Sequence, residues 1–189
     1  MSIALATDRL TLISLVGDDG RRAPLAGLLH IPGLRDARQI QVRSQTTSHR
    51  TMMAAQIDAA IVEAERAVLL VAHGTGCMAA ARWARLSPSA YVARVAGAVM
   101  IAPDWTMGGA TTFASPQSRL PFSSIVVGSD DETQRLAGEW GSRLIDGPLL
   151  VGKAGPSGRF GSMIERFTAA IVERDVSAAN RLLDAIGDR

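Results

Sequence analysis

The sequence predicts an α/β fold: a single domain over residues 1–189, built as a three-layer sandwich. A mostly parallel central sheet carries helices on both faces and opens with an N-terminal hairpin. Three observations predict it. Short apolar runs alternate with longer amphipathic stretches along the chain, which is the element order of a doubly wound sheet. The most apolar run, Ala67-Val-Leu-Leu-Val-Ala72, lacks any polar alternation, so it reads as a strand buried on both faces. A glycine-bearing turn, His73-Gly74-Thr75-Gly76, then leads at once into the Ala-rich segment ending near Ala84, a helix packed back on the sheet.

Length and composition suit this architecture. The 189 residues, 47% of them hydrophobic, are about one ordinary domain and bury a core of useful size. The formal charge is +2, and Lys153 is the only lysine, so the basic character is carried by arginine. Arg35, Arg38, Arg43 and Arg50 form a mildly basic stretch, but no aromatic residues interleave it. It reads as a solvated loop, with no nucleic-acid partner expected. A lone cysteine, Cys77, suits a reducing compartment. Asp8 and Arg9 interrupt what would be the apolar core of a signal peptide, and no run reaches membrane-spanning length. The expectation is a cytoplasmic protein without a membrane partner.

Taken in order, residues 10–16 and 24–31 are apolar and strand-like, separated by Gly17-Asp18-Asp19-Gly20-Arg21-Arg22. That cluster of turn formers predicts the hairpin. Residues 32–50 are polar and read as irregular. Residues 51–65 form a helix, with Met53, Ile57, Ala60, Ile61 and Ala64 on one stripe. After the central strand, turn and helix comes a Ser87-Pro88-Ser89 connection, then a buried strand over 95–102.

Residues 106–119 are rich in Gly, Thr and Ser and follow a strand's carboxyl end, where α/β folds keep ligand-facing loops. A further strand is predicted over 123–128, a helix over 131–144 with Leu136, Trp140 and Leu144 inward, and a short strand over 148–151. Amphipathic helices over 162–173 and 177–186 close the chain.

The strand-turn-helix has the form of a nucleophile elbow, in which small residues flank the nucleophile because its backbone is pressed between strand and helix. Ala72 stands two before the centre and Gly76 two after. The centre is Gly74, which has no side chain.

Val71-Ala72-His73-Gly74-Thr75-Gly76-Cys77, continuing to Trp83, resembles the Val-x-His-Ser-Leu-Gly-Cys-x-Ala-x-x-x-Trp segment of the small single-domain α/β-hydrolases, the serine hydrolases typified by retinoblastoma-binding protein 9. His30-Ile31-Pro32-Gly33-Leu34 is similar to that family's first core strand and oxyanion loop. Leu120-Pro121-Phe122 through Ser129-Asp130-Asp131-Glu132, then Ala137-x-x-Trp140-Gly141, is similar to the region of its acidic triad member. The resemblance spans most of residues 28–161 and implies an α/β-hydrolase-like fold.

It also implies a Ser-Asp-His triad, which this chain does not fill. Triad partners in this fold follow the order nucleophile, acid, histidine. The three histidines are His30, His49 and His73, none beyond the elbow. Where the family carries its histidine this chain reads Ala154-Gly155-Pro156-Ser157, and proline accepts no proton there. The acid position falls on Asp131 or Glu132. The expectation is a degenerate member that binds a small anionic or acyl ligand, or a protein partner. The vestigial pocket would be formed by Gly33, Leu34, His73, Gly74, Thr75, Asp131 and Pro156, with no catalytic residue.

Two other readings stay open. An esterase could use a displaced nucleophile, Thr75 or Ser157; but Thr75 is one position out of register and suits a helix N-cap better. A structural subunit would expose an apolar patch around Phe167, Ile171 and Leu182. Cys77, one turn into the helix, reads as a small buried residue rather than a reactive thiolate. Gly74-x-Gly76-x-x-Ala79 also fits a dinucleotide fingerprint, but residues 90–103 lack its acidic ribose partner. No cofactor is expected, and no metal, since the histidines are scattered and the cysteine has no ligand-spaced companion.

Overall fold

The computed structural model describes residues 10–17, 38–43, 46–104, 118–145, 166–171 and 173–174. Six strands among them form one sheet: β1 (Leu10–Gly17), β2 (Arg38–Val42), β3 (Ala67–His73), β4 (Val95–Ile101), β5 (Ser123–Val127) and β6 (Arg143–Ile145), in the order β2-β1-β3-β4-β5-β6. Every pairing is parallel. The helices are α1 (Thr47–Glu63), α2 (Thr75–Leu86), the one-turn α3 (Ser89–Val92) and α4 (Asp131–Trp140).

β3 shows why the sheet lies inside. Val68 through Ala72 are all 0% exposed, and their side chains alternate between two apolar layers. Val68, Leu70 and Ala72 join Ile13 and Leu15 against Met53, Ile57 and Ile61 of α1, the Ala-rich face of α2, and Leu136 and Trp140 of α4. Leu69 and Val71 join Leu12, Val99 and Ile125 on the opposite face, where Ile171 of helical residues 166–171 covers them. Helical residues therefore flank both sides of the sheet, giving the expected three layers. Trp83 ties α2 to α1: its ring is 2% exposed and its Nε1 donates to Asp58 Oδ1 at 2.8 Å.

Four expectations need correction. β1 does not make a hairpin: from Ile13 to Val16 it has parallel partners on both edges, β2 and β3. Its apolar run belongs to a central strand, and residues 24–31 lie outside the described residues. The polar stretch 32–50 is not all loop, because Arg38–Val42 is an edge strand whose buried positions are only Ile40 and Val42. Such a strand shows two apolar residues in five, too few to stand out from polar surroundings. Helix α1 begins at Thr47, earlier than the apolar stripe suggests, because Thr46 caps it by accepting from His49 N–H at 3.1 Å.

Finally, α4 stops at Trp140. Gly141 takes the left-handed conformation, φ 64°, as its C-cap, so Leu144 lies on β6 and is 38% exposed. The predicted strand over 148–151 and helix over 177–186 lie outside the described residues. Among the described residues, no helix is long and apolar enough to cross a membrane.

Candidate functional site

Parallel pairing brings the carboxyl ends of the strands to one edge of the sheet, where such folds bind ligands. Val16, His73, Ile101 and Val127 stand in register across β1, β3, β4 and β5. The next residue on each strand is small: Gly17, Gly74, Ala102 and Gly128. The ladder continues one step into this row, with Gly74 N–H donating to Ile101 O at 3.1 Å and Ala102 N–H to Val127 O at 2.8 Å. The rim of the sheet beneath any ligand is therefore backbone rather than side chain.

Gly74 makes the turn. Its φ of 58° and ψ of −127° lie close to the first central position of a type II′ turn, a backbone that L-residues adopt only under strain. Helix α2 starts immediately after it, and Cys77 N–H closes the first turn on Gly74 O at 3.1 Å. Gly76 is demanded by proximity: a Cβ there would stand 2.4 Å from Leu15 O. The helix N-terminus thus lies directly against β1.

Thr75 is the first residue of α2, while the N-cap is Gly74, which offers no side-chain cap. The N-cap role expected of Thr75 is therefore incorrect, by one position. Its side chain packs on Gly17 and is 7% exposed. The amides of Thr75 and Gly76 head the helix, where no intrahelical acceptor exists. They have no acceptor among the described residues and lie at the positive end of the helix dipole.

His73 is 6% exposed. The alternation along β3 turns it to the face of Leu69 and Val71, away from α2, so it is not a base for Thr75. Cys77 is fully buried and its thiol donates to Ile101 O at 3.5 Å, as a structural thiol would.

The acidic end is occupied by helix chemistry. Asp130, not Asp131, caps α4: its Oδ1 accepts from Thr133 N–H at 2.8 Å and its Oδ2 from the Thr133 hydroxyl at 2.7 Å. Those bonds, the hydroxyl's first, hold its carboxyl below the usual carboxylate range. Asp131 is exposed at the first helical position and makes no ion pair among the described residues. Glu132 is committed to Arg135, whose Nε donates to it at 2.9 Å, and this pairing lowers the Glu132 carboxyl's pKa. Two strand spacings, about 10 Å, separate the β5 end from the turn.

Gly33, Leu34 and Pro156 lie outside the described residues, as does Ser157. The strand that stands beside the turn, where residues 30–34 were expected, is β1, ending at Gly17. Sequence reasoning missed Gly17, Ala102 and Gly128. The signal for Gly17 was available, since an uninterrupted apolar run ending in glycine is also how a buried parallel strand enters a turn. Ala102, a non-glycine residue with φ 43°, carries no sequence signature.

A family model described as serine hydrolase matches residues 32–155. The chain belongs to the serine hydrolase family. The matched span includes the strand, turn and helix around Gly74 and begins after β1, the strand against which the turn is set. Among solved structures the chain is similar to a YdeN-like hydrolase from Pectobacterium atrosepticum, at 18% identity over 89% of this chain and 96% of that one, with a TM-score of 0.68. At that identity the likeness establishes the α/β-hydrolase-like fold. Comparison with curated proteins finds no match.

Proposed function

We propose that this serine hydrolase family member keeps the elbow as a binding site for a small carboxylate, phosphate or acyl group and does not cleave it by the family's chemistry. Gly74 at the centre of the turn is the observation that carries the reading: the backbone geometry of an elbow is present and the attacking atom is not. Within these residues no histidine follows the turn, and His73 faces the wrong side of the sheet. Near the acid position, Asp130 serves the α4 cap and Glu132 is paired with Arg135, while Asp131 is exposed at the first helical position.

What remains is electrostatic. The Thr75 and Gly76 amides point from a helix N-terminus, the arrangement that stabilises an oxyanion in an active hydrolase and binds an anion in an inactive one. Titration of the labelled protein with acetate, phosphate and octanoate tests this, with the Thr75 and Gly76 amide resonances as readout. Saturable shifts at these two amides support the reading; shifts confined to other residues, or none, defeat it.

A further inference from the structure

The sheet ends at β2, and a groove of about 460 Å³ runs along that end. Helix α1 lines it with His49, Met52, Met53 and Gln56, spaced as one helical stripe. The strand lines it with residues 38–41, and Arg43, just past its end, adds to the lining. Gln39 and Gln41 are exposed whereas Ile40 is 4% exposed, so the lining draws on both faces of the strand and follows its edge. β1 pairs with β2 on one side, and no strand pairs on the other among the described residues. Alternate N–H and C=O groups of β2 therefore face the groove with their bonding capacity unused by any strand among the described residues.

We propose that this groove binds an extended acidic peptide segment, which adds to β2 as a further strand. A free sheet edge flanked by one helix stripe is the geometry in which main-chain bonds hold a peptide and alternate side chains are read. Met52, 60% exposed at the wall of the groove, supplies apolar surface for one of those side chains. Charge sets the preference. Arg38 is joined to Glu63, but Arg43 makes no ion pair among the described residues. His49 Nδ1 is shielded from solvent and has no hydrogen-bond partner among the described residues. Among the described residues, the groove lining contains no carboxylate.

A second copy is the poorer occupant. Pairing with a second copy would add another Arg38 and Arg43 to the same edge and no carboxylate from the groove lining, so like charges would accumulate there. A free phosphate would use Arg43 and leave the strand edge unbonded. The proposal is independent of whether the turn at Gly74 binds a ligand.

The test uses the full chain and a fluorescein-labelled acetylated heptapeptide of alternating Val and Glu, read by fluorescence anisotropy. Controls are the Val and Lys counterpart and two Val and Glu peptides N-methylated at odd or even positions. Saturable binding of the Val and Glu peptide is expected. One N-methylated peptide should lose about tenfold in affinity, because only alternate amides face the protein strand. Arg43→Gln should weaken binding about two- to fivefold, as for an exposed ion pair, with an unchanged urea midpoint.

Absence of saturable binding, equal affinity for the Lys peptide, or indifference to N-methylation at both registers overturns the proposal. So does a light-scattering dimer that Met52→Arg converts to monomer, because the edge would then belong to a second copy.

Discussion

Thr75 rests its hydroxyl on Gly17: a Cβ built at Gly17 would stand 2.1 Å from Thr75 Oγ1 and 3.2 Å from the Thr75 amide nitrogen. The contact joins the end of β1 to the start of α2. Gly17→Ala should therefore destabilise the fold by about 1–3 kcal/mol through overpacking. Thr75→Ala in the same chain removes Oγ1 and should recover much of that loss. Urea denaturation of the two single variants and the double variant checks it; strictly additive effects would show that the residues do not touch.

Gly76 and Gly138 make a matched pair of glycines with opposite expectations. At Gly76 a Cβ meets backbone, 2.4 Å from Leu15 O, and nothing there is a flexible side chain that could yield. Gly76→Ala should cost about 1–3 kcal/mol, which lowers Tm by about 2–4 °C per kcal/mol in a chain of this size. Gly138 lies within α4 with nothing within 4 Å of an added Cβ. Gly138→Ala should raise stability by about 0.4–1 kcal/mol. Thermal unfolding of both variants reads the two signs.

The cap on α4 makes stability depend on acid. Asp130 has its carboxyl pKa lowered in the folded chain by the Thr133 hydroxyl and amide. A folded value below the unfolded one means that the unfolded chain takes up the proton more readily. The contribution is therefore fully present above the ordinary aspartate pKa and is lost as pH falls through the folded value. Asp130→Ala should cost about 1 kcal/mol at pH 7, the usual worth of an N-cap. The gap from the parent should narrow below about pH 4. Urea midpoints at pH 7 and pH 3 measure it; an equal gap at both would mean that the carboxylate's charge does not matter.

Much of this fold was legible because burial on both faces leaves an unmistakable mark. Residues 67–72 and 95–101 are apolar throughout, and the stripe Met53, Ile57, Ala60 and Ile61 is the buried face of α1. What escaped the sequence reading was decided by pairing, which no single segment carries. β1 is as apolar as a hairpin strand and becomes central only because β2 and β3 flank it.

β2 hides among arginines and glutamines because an edge strand needs only Ile40 and Val42 inside. Leu144 fits the α4 stripe by spacing, yet Gly141 ends the helix first. At the site, a residue without a side chain at the centre of the turn, Gly74, was readable directly. The contact of Thr75 with Gly17 and the capping role of Asp130 needed coordinates.

Restoring the missing atom should not restore the chemistry. Gly74→Ser puts an L-residue at φ 58° and ψ −127°, with a strain cost of about 1–3 kcal/mol. No histidine follows the turn in these residues, where the family's chain order puts its base. Because triad residues act as a unit, p-nitrophenyl ester turnover by Gly74→Ser should stay close to that of the parent. A large gain in rate would mean that a base is already waiting at the turn.

The central claim, that a family turn without its attacking atom runs no acyl transfer, is met most directly by exposing the unaltered protein to a fluorophosphonate probe and mapping any adduct by mass spectrometry. The expected result is no stoichiometric labelling. One adduct per chain on Thr75 or Ser157, with ester hydrolysis abolished when that residue is replaced by alanine, would contradict it.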